Sequence, residues 1–265
     1  LGTGQIAESS RVDNYPGIPG IDGYSLGEKF REHAESLGVE FTEAQVLSLG
    51  QKDGIWIIGC DEDITLESKV VIYATGCKNR PLGVPGEEKY YGRGLSFCAV
   101  CDGAFYKGKR VAVIGGGDTA LDDAMYLSDI CEKVYLVHRR EFFRGSASTL
   151  EKLKQKENVE IIVNARVEEI TGDKKIDGII LDNKTKLNIS GLFAAVGMIP
   201  QTELLKEFGV LDESNYVKAS EDTKTTVNGL FAAGDVRTKQ LRQVVTAAAD
   251  GANAIYSVME YLRNI

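Results

Sequence analysis

Gly115-Gly-Gly-Asp-Thr-Ala120 separates an apolar run, Arg110-Val-Ala-Val-Ile114, from a stretch of helical spacing that ends at Ser128. A second apolar run, Lys133-Val-Tyr-Leu-Val137, follows. Strand, glycine turn, helix and strand in that order make a βαβ unit. Such a unit commits this stretch to parallel strands joined by a helix that covers one face of the sheet. Gly115, Gly117 and Ala120 fit the pattern G-x-G-x-x-A. The first glycine suits a tight turn, the second a close approach of backbone to a pyrophosphate, and the small third residue close packing of helix on strand. With Asp118 or Thr119 as its cap, the helix would turn free N–H groups toward the phosphates. The pattern alone often marks only a tight turn, and it is the βαβ setting that favours a nucleotide.

The end of the second strand bears on which nucleotide. A carboxylate there suits the ribose hydroxyls of NAD. This chain has His138-Arg139-Arg140 instead, with Arg144 close behind. Guanidinium forks match a phosphate bidentately, so Arg139, Arg140 and Arg144 read as a 2′-phosphate pocket and the cofactor as NADPH. The competing reading is a solvated basic loop.

Cys98-Ala-Val-Cys101-Asp102 lies just upstream of the glycine turn. Two thiols three positions apart can open and close a disulfide, and a local positive field lowers the pKa of one of them. Asp102 can carry a proton to or from a thiolate leaving group. A zinc site would need two further ligands. No second C-x-x-C exists, and His33 and His138 are unpaired in sequence, so no metal is expected. The aromatic-Cys-Gly-Pro-Cys pattern of thioredoxin itself is absent. Cys60, Cys77 and Cys131 have no partner spacing and read as inert. Passing a hydride pair to a disulfide calls for a carrier, and flavin is the usual one. Gly234-Asp235 after an apolar strand and Arg242-Gln243-Val244 at a helix start suit it. Taken alone, they could be a strand end with a cap.

The chain has 265 residues and a formal net charge of −8. That balance argues against nucleic acid, which needs a basic face. No window approaches the roughly 18 uninterrupted apolar residues of a membrane span. An odd set of five cysteines without framework spacing fits a reducing compartment, and the cytoplasm is expected. Residues 1–23 read as loop and turns. Helical spacing runs from Tyr24 to Leu37 and from Thr149 to Lys156. Strands are expected at Val39–Leu49, Ile55–Cys60, Ile64–Glu67, Lys69–Ala74 and Val159–Val163, with a small meander at Val167–Ile170, Ile176–Leu181 and Lys186–Ile189. Leu192–Gly197 and Gly229–Asp235 repeat the strand-then-glycine form of Val70–Gly76, and Gln243–Leu262 reads as a closing helix. Pro- and Gly-rich Asn79–Gly86 and Met198–Pro200 are candidate linkers. They divide the chain into residues 1–80 plus 198–265, and an insert, 81–197.

Taken together, these residues resemble the low-molecular-weight, bacterial-type thioredoxin reductases. The matches are Asn14-Tyr-Pro-Gly17, Ala74-Thr-Gly76, Cys98-Ala-Val-Cys101-Asp102, Gly115–Ala120, His138-Arg-Arg with Phe143-Arg144, and Gly234-Asp-Val236 with Arg242-Gln243. They run in family order across nearly the whole chain. Ala99-Val100 departs from the commoner Ala-Thr between the cysteines. The resemblance implies an α/β fold of two Rossmann-like domains, each with a central parallel sheet and a small antiparallel meander. It implies FAD held by Gly4, Gln5, Asn14, Ala74, Thr75, Gly76, Gly234, Asp235, Val236, Arg242, Gln243 and Val244. It implies NADPH on the insert, held by Gly115, Gly117, Asp118, Thr119, Ala120, His138, Arg139, Arg140 and Arg144. Electrons would pass from NADPH through FAD to Cys98–Cys101 and on to thioredoxin. Cys101 would face the flavin, Cys98 would attack the partner, and Asp102 would serve as acid and base. A homodimer is implied, as is rotation of one domain against the other at the two linkers. Relatives fed by ferredoxin or NADH, and a non-catalytic nucleotide-binding protein, are the alternatives. The family opens with a strand and its own G-x-G-x-x-G for FAD, which this sequence lacks. The expectation is a chain that begins inside its first domain and binds FAD poorly.

Overall fold

The structure, a computed structural model, describes residues 4–9 and 11–265. Of the loop and turns expected at residues 1–23, residues 1–3 and 10 lie outside them. Gly4–Glu8 forms one 3-10 turn, and helix α1 follows at Gly23–Ser36. Asp22 caps α1 by accepting the Ser25 N–H at 2.9 Å, which satisfies one of the free donors at its start. Strands β1 (Val46–Lys52), β2 (Ile55–Cys60) and β3 (Thr65–Ser68) form an antiparallel meander. The first strand starts seven residues later than the alternation suggests, because β2 has no residues left to pair with 39–45. Trp56 of β2 is fully buried and packs on Phe208 at 5.5 Å between ring centroids. Strands β4 (Val71–Tyr73) and β5 (Cys77–Asn79) lead out of this region.

The middle of the chain builds the largest sheet. It contains β6 (Leu95–Ser96), the short helix α2 (Ala99–Asp102), β7 (Arg110–Gly115), α3 (Asp118–Ser128), β8 (Lys133–Val137), α4 (Ala147–Lys154) and β9 (Val159–Ile162). The meander β10 (Val167–Thr171), β11 (Gly178–Leu181) and β12 (Lys186–Asn188) precedes β13 (Gly191–Ala195). Five parallel strands run in the order β6-β13-β7-β8-β9. Val111, Ala112 and Val113 of β7 are fully buried, as an apolar run covered on both faces requires. One face packs on Ala120, Leu121, Ala124 and Leu127 of α3. The other packs on the meander through Ile170, Ile179, Leu181 and Leu187.

The chain returns through β14 (Met198–Pro200), which pairs antiparallel with β5, Lys78 opposite Ile199. Strand β15 (Leu230–Ala232) pairs parallel with β4, and helix α5 (Val244–Leu262) closes the chain. Trp56, Tyr73, Leu205, Val217, Leu230 and Val236 share one core, drawn from both ends of the sequence. The molecule is thus α/β, with two regions built around parallel strands, each with an antiparallel meander. No helix among the described residues is long and apolar enough to cross a membrane.

Candidate functional site

The glycine loop between β7 and α3 is shaped by crowding more than by unusual torsions, since none of its three glycines has a left-handed φ. A Cβ on Gly115 would stand 2.4 Å from the Ala195 carbonyl oxygen and 2.7 Å from the Ala120 Cβ. A Cβ on Gly116 would meet the His138 ring at 2.2 Å. A Cβ on Gly117 would meet nothing within 4 Å. The second glycine of the motif therefore opens onto free space at the start of α3, where helix N–H groups have no side-chain cap. This differs from the cap expected at Asp118 or Thr119. The residue at that position is Gly117, and the Asp118 carboxylate instead accepts the Ser146 N–H at 2.7 Å. The room and uncapped donors fit a diphosphate.

His138 is buried beneath this loop. Its Nε2 lies 3.2 Å from the Phe142 carbonyl oxygen, and its ring packs on Phe143. Burial lowers its pKa, and the charges of Arg139, Arg140 and Arg144 act in the same direction. The imidazole is thus held neutral under the glycines, whereas those three arginines are exposed. Among the described residues none of the three guanidiniums has an ion-pair partner. The Arg144 N–H donates to the Gly116 carbonyl at 2.7 Å, tying the arginine segment to the loop. Three guanidiniums without ion-pair partners among the described residues, beside the open start of α3, fit a phosphorylated ribose.

Cys98 and Cys101 are joined in a disulfide, with Cα atoms 5.3 Å apart. Both cysteines are half-buried. Cys98 precedes α2, and its Sγ accepts the Cys101 N–H at 3.1 Å. Ser96, at the end of β6, organises the turn. Its hydroxyl donates to Asp102 Oδ2 at 2.6 Å and accepts the Cys98 N–H at 3.1 Å. Asp102 is thereby fixed on the turn that carries the sulfurs. Ser96 was not singled out in the sequence. Its signal is a hydroxyl two residues before the first cysteine, which is weak without coordinates.

The remaining predicted residues gather where β4, β5, β15 and α5 meet. Asn14 Nδ2 donates to Gln243 Oε1 at 2.9 Å, joining the first segment to the start of α5. With its amide turned to donate to the Cys77 carbonyl and accept from Asn79 N, Gln5 makes two contacts of 3.0 Å. Gly4 begins the adjoining 3-10 turn with φ +69°. Thr75, between Ala74 and Gly76, donates to the Gln201 carbonyl at 2.6 Å, and the Gln201 N–H returns to the Gly76 carbonyl at 3.0 Å. Gly234, Asp235 and Val236 form a tight turn after β15. Asp235 Oδ1 is buried with no hydrogen-bond partner, and burial raises the pKa of its carboxyl. A buried acceptor without a donor is costly, and a cofactor hydroxyl would satisfy it. Gln243 caps α5 reciprocally with Thr246, and Val244 opens the helix.

A buried ion cluster anchors this corner. Asp250 of α5 accepts from Arg237 at 2.6 and 2.8 Å, Lys239 at 2.8 Å and the Gly234 N–H at 2.9 Å. Burial pushes the Asp250 pKa up, but those donors outweigh it and the net shift is downward. Nothing local in the chain announces this cluster, because an acid in a helix ordinarily faces water.

A family model, pyridine nucleotide-disulphide oxidoreductase, matches residues 4–251. The chain belongs to that family. Its relatives include the Helicobacter pylori thioredoxin reductase, 40% identical over 98% of this chain and 88% of that one. The Bacillus subtilis thioredoxin reductase is 36% identical over 99% of this chain and 84% of its own length. The Streptococcus pyogenes thioredoxin reductase structure superposes with a TM-score of 0.90 at 37% identity, covering 99% of this chain and 87% of that one. The Lactococcus lactis enzyme in its FR conformation scores 0.66 at 35% identity, covering 99% and 88%. Within the family the chain groups with the low-molecular-weight thioredoxin reductases, oxidoreductases of the flavoprotein disulfide reductase type.

Proposed function

We propose that this protein reduces thioredoxin with electrons from NADPH, relayed by FAD to the Cys98–Cys101 disulfide. The observation that carries this reading is the meeting, on one parallel sheet, of a closed C-x-x-C disulfide, an open glycine cradle and three unpaired arginines. Gly115, Gly117, Asp118, Thr119 and Ala120 would bind the diphosphate of NADPH. Arg139, Arg140 and Arg144 would bind its 2′-phosphate, with His138 supporting the loop from beneath. The flavin would supply two-electron transfer between nicotinamide and disulfide. Asp235 would take a cofactor hydroxyl, and the start of α5, at Arg242, Gln243 and Val244, would meet its ring. Gly4, Gln5, Asn14, Ala74–Gly76, Gly234 and Val236 would complete the wall.

One NADPH and one proton convert one disulfide into two thiols. On reduction of Cys98–Cys101, Cys101 would face the flavin and Cys98 would attack the thioredoxin disulfide. Asp102, steadied by Ser96, gives the departing thiolate a proton and later takes one back. Residues 1–80 plus 198–265 would form the flavin domain, and 81–197 the NADPH domain. The paired passages β5 and β14 would be the pivot. At nearly equal identity, one relative superposes at 0.90 and another, in its FR conformation, at 0.66. A whole-chain score that falls without a fall in identity is what a different setting of two rigid units produces, and it supports that pivot. A homodimer in a reducing, cytoplasmic setting completes the reading.

The test is NADPH- and NADH-driven reduction of thioredoxin by the FAD-supplemented protein. NADPH should be preferred by at least about tenfold in kcat/KM, as the loss of one charged bidentate partner is worth about 1.5–3 kcal/mol. Cys101→Ser should abolish turnover. Equal thiol titres with and without NADPH in a flavin-loaded sample would refute the proposal.

A further inference from the structure

Arg242 is held from three sides. Its Nε–H donates to the Asp235 carbonyl at 3.1 Å and its Nη2 to the Arg237 carbonyl at 3.3 Å. Its guanidinium lies over the Tyr216 ring, 4.0 Å from the centroid. Tyr216 itself is rigidly mounted. Its N–H donates to Asp212 Oδ1 at 2.8 Å, and its carbonyl accepts the Asp212 N–H at 2.8 Å, closing a tight turn. The Cys77 thiol donates to the same Asp235 carbonyl that Arg242 uses, at 3.0 Å. Burial pushes the Cys77 pKa up to about 11, so it stays a protonated donor. Cys77 and Arg242 thus meet at the Asp235 carbonyl, and Tyr216 backs the guanidinium, so β5, the strand-end turn and the 212–217 turn converge on the residues before α5.

We propose that Tyr216 is the positioning residue that aims Arg242 at the flavin ring, with Cys77 holding the Asp235 carbonyl that Arg242 also uses. This rests on the flavin reading above. Two backbone carbonyls take two of the five guanidinium N–H groups, and the ring fixes the plane. The remaining N–H groups have no acceptor among the described residues. A guanidinium so fixed donates to a ring carbonyl and stabilises negative charge that gathers there on reduction. Because a cation over an aromatic face gains strength when desolvated, the ring matters more than the hydroxyl.

The test compares Tyr216→Leu, which removes the ring, with Tyr216→Phe, which keeps it. The first readout needs no flavin. In apo protein the Arg242 Nε–H resonance should be protected from exchange in wild type and in Tyr216→Phe, and lose that protection about tenfold in Tyr216→Leu. The second readout is FAD affinity together with the reduced-to-oxidised flavin ratio at a fixed dye poise. Both should fall about tenfold in Tyr216→Leu and stay within about twofold in Tyr216→Phe. On an Arg242→Ala background, Tyr216→Leu should add nothing further. Equal Nε–H protection in wild type and Tyr216→Leu overturns the proposal, as does an undiminished effect on the Arg242→Ala background. Protection that is lost in Tyr216→Leu with FAD affinity and flavin reduction unchanged would leave the clamp standing and sink the flavin reading instead.

Discussion

Gly115, Gly116 and Gly117 are neighbours, yet the structure assigns them different burdens. Gly115 and Gly116 are glycine because backbone and imidazole press against them, while Gly117 is glycine where space is open. Gly115→Ala and Gly116→Ala should each destabilise the fold by about 1–3 kcal/mol, the usual cost of forcing atoms into a packed site. Gly117→Ala should leave the melting temperature nearly unchanged and weaken NADPH binding, as calorimetry on the same samples would reveal. Arg139→Ala with Arg144→Ala should raise the KM for NADPH while leaving that for NADH nearly constant, and a parallel rise in both would discredit the phosphate assignment. The spacing Gly115-x-Gly117 was legible in the sequence, and so were the arginines. The burial of His138 was not. A histidine beside two arginines looks like a third phosphate ligand until the coordinates put it under Gly116, where desolvation keeps it neutral.

Helix α5 was readable from its apolar spacing, and it begins at Val244, with Gln243, the first residue of the expected helix, as its N-cap. What holds its first turns was not readable, since Asp250 sits in Ala247-Ala-Ala-Asp250-Gly-Ala, a setting that looks solvated. The pH consequence follows from the lowered Asp250 pKa. A carboxyl depressed on folding contributes stability that is fully present above its unfolded value of about 3.9 and is lost as pH falls through the lower native value. Urea midpoints should therefore decline steeply in that acid range, and Asp250→Asn should remove that part of the decline. At neutral pH the same change should cost about 3–5 kcal/mol, because it breaks a buried pairing with Arg237 and Lys239. A loss under about 1 kcal/mol would mean that solvent reaches the cluster.

Across the molecule a second carboxyl acts with opposite sign. Asp123 of α3 has its pKa pushed up to about 7, mainly by burial and secondarily by Asp122. Between about 4 and about 7 the folded state keeps a proton that the unfolded state has shed, so this group makes stability fall as pH rises. Asp123→Asn should flatten that slope, measured as denaturation midpoints at pH 5 and pH 8. An unchanged slope would place the carboxylate in better contact with water than the structure does. The division into an insert and two flanking pieces was suggested by Asn79–Gly86 and Met198–Pro200. Strand order was beyond reach. Nothing local announces that β13 returns between β6 and β7, because that register is set by which apolar faces remain uncovered once the helix and meander have docked.

The sole tryptophan of the chain, Trp56, is buried in the core that both ends of the sequence build, and residues 81–197 contain no indole. If residues 81–197 unfold as the separate domain proposed above, tryptophan emission during chemical denaturation will follow the other part alone, and the part bearing Cys98 and Cys101 will melt unseen by it. Any gap between that optical transition and a far-ultraviolet one would measure how weakly the two halves are coupled.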